Sequence, residues 1–271
     1  MTSRERILAA IRHERVDRVP VCPWGLGRLD PDGATARNLI AGTDILINAA
    51  GFNPFFGAAA QWESAREGSD HITRLRVGGR TLTQRVTRTE QTSARTEYLF
   101  KTPEDAEAFL SMPYEPPELD ANPYHRVRRK IADDGLVLAA CGGNPVCLAA
   151  SSFSPENFCL LWAQNPDLLI RLTETAAERM RDCVHRLCHQ GVRALRMVGG
   201  EYVTVQLGPS AVGPLLKRFD PEIIDIVHRH GGLVFYHNHG PLMRFLDDLA
   251  ELGADVLDPL ELPKKGTGTH E

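Results

Sequence analysis

Two imidazoles two residues apart, His237 and His239, close a short apolar run at residues 233 to 236 and are followed by Gly240 and Pro241. The run has the length and composition of a strand. Side chains on one strand face repeat every two residues, so both rings point the same way if the strand carries through His239. Two neutral imidazoles on one side suit a divalent transition metal; the alternative is a hydrogen-bonded, half-exposed polar cluster. Two carboxylates hold comparable positions. Glu201 follows a strand candidate at 193 to 198 and the pair Gly199-Gly200, and Glu261 follows another at 254 to 257. An acid so placed is an acid, a base, a ligand or an ordinary loop residue. In parallel α/β folds the carboxyl ends of the strands lie on one face, which would let Glu201, His237, His239 and Glu261 converge.

At 271 residues and 30.0 kDa the chain can bury a large core. A net charge of −4 and a pI near 6.2 give no basic footprint, so the expected partner is a small molecule and not nucleic acid. Six scattered cysteines and an N-terminus without an apolar signal region read as cytoplasmic, with reduced thiols. No uninterrupted apolar run of about 18 residues occurs, so no membrane span is expected. The sequence holds no CxxC pair, GxGxxG, P-loop or GxSxG. Cys183, Cys188 and His189 resemble zinc ligands in spacing, but they fall inside a long helix. Positions five apart there sit about 140° apart, so core or surface thiols are the better reading.

The elements that must position the four candidates follow from pattern. A first helix is capped by Thr2 or Ser3 and runs to about residue 13, and a strand candidate at 19 to 22 contains Pro20, which confines it to an edge. Residues 24 to 33 read as a loop, and 34 to about 51 as helical with Thr43-Asp44 as an internal cap or break. Alternation between 71 and 100 around Gly78-Gly79 predicts a β-hairpin insertion. Its five arginines between Arg74 and Arg88 form a solvated face or, less simply, an anion site. Thr102-Pro103-Glu104-Asp105 starts a helix, a helix near 124 to 132 precedes a buried strand at 136 to 140, and helices follow at 155 to 164 and 166 to 190. Helical segments at 210 to 217, 221 to 229 and 241 to 252 alternate with the later strands. That alternation predicts a parallel sheet, as a barrel or doubly wound.

The segments at 2 to 10, 17 to 21 and 253 to 259, together with Gly199-Gly200-Glu201-Tyr202 and His237-Asn238-His239-Gly240, resemble the uroporphyrinogen decarboxylase superfamily, in order, over residues 1 to 263. The resemblance implies a TIM (β/α)8-type barrel and one of two chemistries: cofactor-free decarboxylation of porphyrinogen acetates, or zinc-dependent transfer of a methyl group between a corrinoid and a thiol. The decarboxylases carry an arginine-rich segment after the first strand, where this chain has Cys22-Pro23-Trp24-Gly25-Leu26-Gly27-Arg28, with one arginine to meet many carboxylates. The methyltransferases carry a His-x-Cys zinc motif that His237 matches and in which His239 replaces the cysteine. The resemblance therefore favours a methyltransferase with Zn²⁺ on His237 and His239, Glu201 as the catalytic group, and Arg28, Tyr202, Tyr236 and Glu261 as substrate-binding residues. The methyl carrier would be a corrinoid on a partner protein. Porphyrinogen decarboxylation and a non-catalytic binding protein on the same fold are the alternatives.

Strand candidates near Val19, within 45 to 76, and near Leu136, Arg193, Leu233 and Ala254 number about six, against the eight of that barrel. The expectation is a barrel lacking its last two strands, with residues 264 to 271 as a tail foreign to the family. Such a chain would also lack the third zinc ligand, be inactive alone and self-associate through its open edge.

Overall fold

The computed structural model describes residues 1–261. The chain opens with α1 (Ser3–Ile11), α2 (Ala34–Gly42) and β1 (Ile45–Gly51), then makes β2 (Gln61–Glu67), β3 (Asp70–Val77), β4 (Arg80–Arg88) and β5 (Ser93–Glu97). It continues through α3 (Pro103–Leu110), α4 (Asn122–Ile131), β6 (Gly135–Ala140), α5 (Pro145–Ala150), α6 (Pro155–Gln164), α7 (Pro166–His189) and β7 (Ala194–Val198). Last come α8 (Asp220–Arg229), β8 (Leu233–His237), α9 (Leu246–Ala250) and β9 (Val256–Asp258). Strands β1-β6-β7-β8-β9 form a parallel sheet in that order, and β2-β3-β4-β5 form an antiparallel one. Among the described residues the parallel sheet is open, with β9 paired to β8 alone; a closed barrel is not formed. The expected tail at 264 to 271 lies outside the described residues. Among those described, no helix is long and apolar enough to cross a membrane.

Strand alternation divides the sheet into two faces. Val137, Ala139, Leu195, Met197, Val234 and Tyr236 point into the larger core, which α7 covers with Leu169, Leu172, Ala176, Met180, Val184 and Leu187. Each fully buried valine, leucine or methionine among them contributes about 1.5–3 kcal/mol. Cys183 and Cys188 are both buried in this core as thiols, although their spacing sets them about 140° apart around α7. Leu136, Leu138, Ala194 and Phe235 point the other way and meet Ile7 of α1. A capping box starts α1, with Glu5 N–H donating to Thr2 Oγ1 at 3.2 Å and Thr2 N–H donating to Glu5 Oε2 at 2.8 Å. The helix is tied to the start of β1 by buried Arg6, which donates to Asp44 at 2.5 Å and to Asp17 at 2.5 and 2.7 Å. Arg18 and the Val21 N–H complete the shell around Asp44, and together these donors outweigh its burial and hold its carboxyl below the usual range.

Three expectations need correction. The helix read to residue 51 ends at Gly42, and residues from Ile45 are β1, the first strand of the sheet, with Ile45 and Leu46 buried. Thr43-Asp44 is thus a break, with Thr43 in extended backbone. The strand near Val19 is reduced to an extended segment beside β1: Asp44 N–H donates to Val21 O, Leu46 N–H to Pro23 O and Gly25 N–H to Leu46 O. The rung in which residue 23 would donate is missing because proline has no N–H. The insertion is larger than a hairpin. The β3–β4 pair turns at Gly78-Gly79 as read, but β2 and β5 flank it to make a four-stranded sheet.

Candidate active site

The His237 and His239 rings converge beyond the end of β8, with their Nε2 atoms 3.0 Å apart and their planes at 89°. Each ring is gripped from behind by a carboxylate. His237 Nδ1 lies 2.7 Å from Asp258 Oδ2, and His239 Nδ1 lies 3.0 Å from Glu261 Oε1. An ionised carboxylate only accepts, so both Nδ1 atoms carry a proton, and in the neutral rings both Nε2 atoms present lone pairs. Two facing lone pairs repel unless a proton or a cation lies between them. Tetrahedral Zn–N bonds of about 2.0–2.1 Å would set the nitrogens about 3.3 Å apart, close to the separation observed. The carboxylate–histidine pairing is also the arrangement that fixes the tautomer of metal-bound imidazoles. These residues therefore fit a divalent metal as two nitrogen donors. Among the described residues no third protein donor joins them.

Backbone pairing places the carboxylates. Asp258 is in register with His237 across β8 and β9, and Asn238 N–H donates to Asp258 O at 2.8 Å. Glu261 is fixed by accepting the Gly240 N–H at 2.9 Å through its other oxygen. Arg196 of β7 sits beside His237 with Nη2 3.0 Å from Nδ1 and 3.8 Å from Asp258 Oδ2. Since Nδ1 already bears a hydrogen, the Arg196 contact balances the Asp258 charge and is not a hydrogen bond to the ring. Its guanidinium lies 4.4 Å from the Trp24 ring centroid, and Trp24 in turn meets Phe235 edge-on. Below them Trp24, Leu46, Phe235, Val256 and Ile11 line an apolar groove of about 270 Å³ that ends at Asp258.

The remaining predicted residues do not join the pair. Tyr236 is on the opposite strand face, buried, donating to Asp220 Oδ2 at 2.7 Å and accepting from Asn144 at 3.0 Å. Burial pushes the Asp220 carboxyl up to about 7 and the Tyr236 hydroxyl well above its ordinary value. Tyr202 packs edge-on against Phe158, and burial raises it to about 12. Arg28 is exposed and makes no hydrogen bond or ion pair among the described residues. Glu201 is half-buried and hydrogen-bonds to neither histidine. Its Oε2 has no partner, and its charge is felt by Cys147, Tyr202 and Tyr236. The loop carrying it is packed so closely that a Cβ on Gly200 would fall 2.0 Å from Asn238 Oδ1, and one on Gly199, at φ +119°, would fall 2.2 Å from Cys147 Cβ.

Sequence reasoning missed Arg196, Asp258 and Trp24 as parts of the site. Asp258 carried a signal, being the first polar residue after the strand that follows the histidines. Arg196 carried one as a charge interrupting an apolar strand. Trp24 had none, since only the unusual pairing of its segment with β1 brings it there.

An open parallel α/β sheet with its polar cluster at the strand carboxyl ends defines the class of fold. Neither a family model nor a curated protein matches the sequence. In structure the chain is similar to a methyltransferase from Methanosarcina mazei, with a TM-score of 0.58 over 95% of this chain and 75% of that one, at 16% identity. The two share a fold.

Proposed function

We propose that this chain is a zinc-dependent methyltransferase that moves a methyl group from a corrinoid carried by a partner protein to a thiol acceptor. The observation that carries the reading is the Nε2 pair of His237 and His239 at 3.0 Å, each ring locked by a carboxylate on Nδ1. Its resemblance to superfamily methyltransferases at this motif, and the methyltransferase fold of its neighbour, give the direction. When bound, Zn²⁺ would supply Lewis acidity that favours the thiolate form of an acceptor at neutral pH.

The chain's own residues do the rest. Asp258 and Glu261 keep the Nδ1 protons in place and so aim both lone pairs at one point. Arg196 neutralises Asp258 and is held in place over the Trp24 ring. The acceptor's S–H proton leaves, sulfur forms a bond to the methyl carbon, and the carrier departs with the electron pair. The proton goes to solvent, since Glu201 hydrogen-bonds to neither histidine and its charge falls on Cys147, Tyr202 and Tyr236. The isolated and exposed Arg28 offers no clamp for a polycarboxylate, which speaks against porphyrinogen decarboxylation.

The test is zinc titration of chelator-free protein alongside thiol methylation from methylcobalamin. His237→Ala should lose one equivalent of zinc and the methylation. Equal zinc in wild type and variant, with no methylation by either, would overturn the proposal.

A further inference from the structure

A second cluster of imidazoles lies at the other end of the strands. His185 and His189 occupy the last turns of α7, one helical turn apart and on the same face, and His230 caps the C-terminus of α8. Their ring centroids are 4.5 Å apart for His185–His189, 5.0 Å for His189–His230 and 5.5 Å for His185–His230. One ring nitrogen from each falls within 4.8 Å of the others. None of the three rings makes a hydrogen bond or ion pair among the described residues, whereas the ring of neighbouring His228 is taken by Asp255 at 2.9 Å. We propose that His185, His189 and His230 form a metal site for Zn²⁺ or another nitrogen-seeking divalent transition ion, separate from the His237–His239 pair and tying the end of α7 to the end of α8.

Three imidazoles and an open fourth position are a known zinc donor set, and imidazole equally suits Ni²⁺, Cu²⁺ and Co²⁺. Bringing nitrogens from at most 4.8 Å to the roughly 3.3 Å of a tetrahedral site asks only for ring rotations, and His185 and His189 are exposed enough to make them. Both helices point their carboxyl ends at this place, so their dipoles favour a cation. Two positive side chains oppose it, Arg193 and Arg229, but Arg193 is turned to the Cys188 and Val192 carbonyls and Arg229 is paired with Asp225. Because α7 leads into β7 and α8 into β8, a metal here would staple the amino ends of two adjacent strands, away from the site at their carboxyl ends.

The experiment removes the first site and titrates what remains. The full chain carrying His237→Ala and His239→Ala is titrated with CoCl₂ by calorimetry and visible absorption. One Co²⁺ per chain should bind with a Kd below about 10 µM, giving the absorption of a nitrogen-ligated low-symmetry ion. Adding His185→Ala and His230→Ala should weaken it at least about 100-fold, and His189→Gln alone at least about 10-fold, with unchanged circular dichroism. Saturating metal should raise the Tm by several degrees only where the three histidines are present. Binding weaker than about 10 µM, or binding indifferent to these three histidines, overturns the assignment. Either result is independent of whether His237→Ala costs the wild-type chain its zinc.

Discussion

Asp220 is fully buried at the start of α8, and its Oδ2 accepts from both Tyr236 and Asn144 while Oδ1 has no partner. Burial lifts it from an ordinary 3.8 to about 7, against the opposing pull of those two hydrogen bonds. Between about pH 4 and pH 7 the folded chain therefore binds a proton that the unfolded chain has released, and this group makes stability fall as pH rises. At 1.36 kcal/mol for each pH unit, the full loss is about 4 kcal/mol, of which about 3 kcal/mol falls above pH 5. Asp220→Asn removes the titration and keeps the carbonyl that receives both donors. Its amide hydrogens, buried where Oδ1 now stands, cost about 1–3 kcal/mol at every pH. Urea unfolding of the two proteins should accordingly show the variant gaining about 3 kcal/mol relative to wild type between pH 5 and pH 8, ending as the more stable one. A difference between the two that stays within about 1 kcal/mol across that range would refute the placement of a proton on this carboxyl.

Three further outcomes are expected. Asp258→Asn keeps an acceptor for His237 Nδ1 but removes its charge, and should lower zinc affinity about 10–100-fold in competition with a chromogenic chelator; unchanged affinity would show that Asp258 does not tune the ring. Gly200→Ala drives a methyl group into Asn238 and the Tyr236 ring, and should cost more than about 3 kcal/mol in a denaturant melt. Phe109→Ala empties the centre of the cluster made with Phe55, Phe56 and Phe100, and should cost about 3–5 kcal/mol without altering metal binding.

Periodicity made most of the parallel sheet legible. The apolar runs of β6, β7 and β8 and the long amphipathic α7 are local patterns, and the structure places each within a few residues of its reading. Residues 45 to 51 misled because Gly42, which ends α2, was passed over and Thr43-Asp44 was read as lying within one helical stretch; Asp44 instead turns inward to collect Arg6 and Arg18 from distant positions. The short helix at Leu246–Ala250, preceded by a tight turn at Leu242–Phe245, likewise replaces one longer helix read at 241 to 252. At the site, the reading had both rings on one face of a strand running through His239; β8 ends at His237, and the rings meet although His239 lies beyond the strand. The separation of Tyr236 followed from the same alternation, and was legible had the face of each residue been followed. The grip of Asp258 on His237 depended on the β8–β9 register, which no local pattern specifies.

The order of the strands also sets an order of assembly. Every partner in the four-stranded sheet is a near neighbour in the chain, as in Asp70 with Glu67 and Val77 with Arg80, so its turns close over a few residues. The parallel sheet begins with Ile45 meeting Gly135, a loop of about 90 residues whose closure is slower and entropically dearer. The antiparallel sheet lies wholly inside that loop. Once its hairpins have formed, on the microsecond scale of such elements, it shortens the effective path between β1 and β6 and brings them within reach of each other. A sheet that contributes no residue to the histidine pair is thus expected to act on it through time, by hastening the pairing from which the rest of the parallel sheet grows.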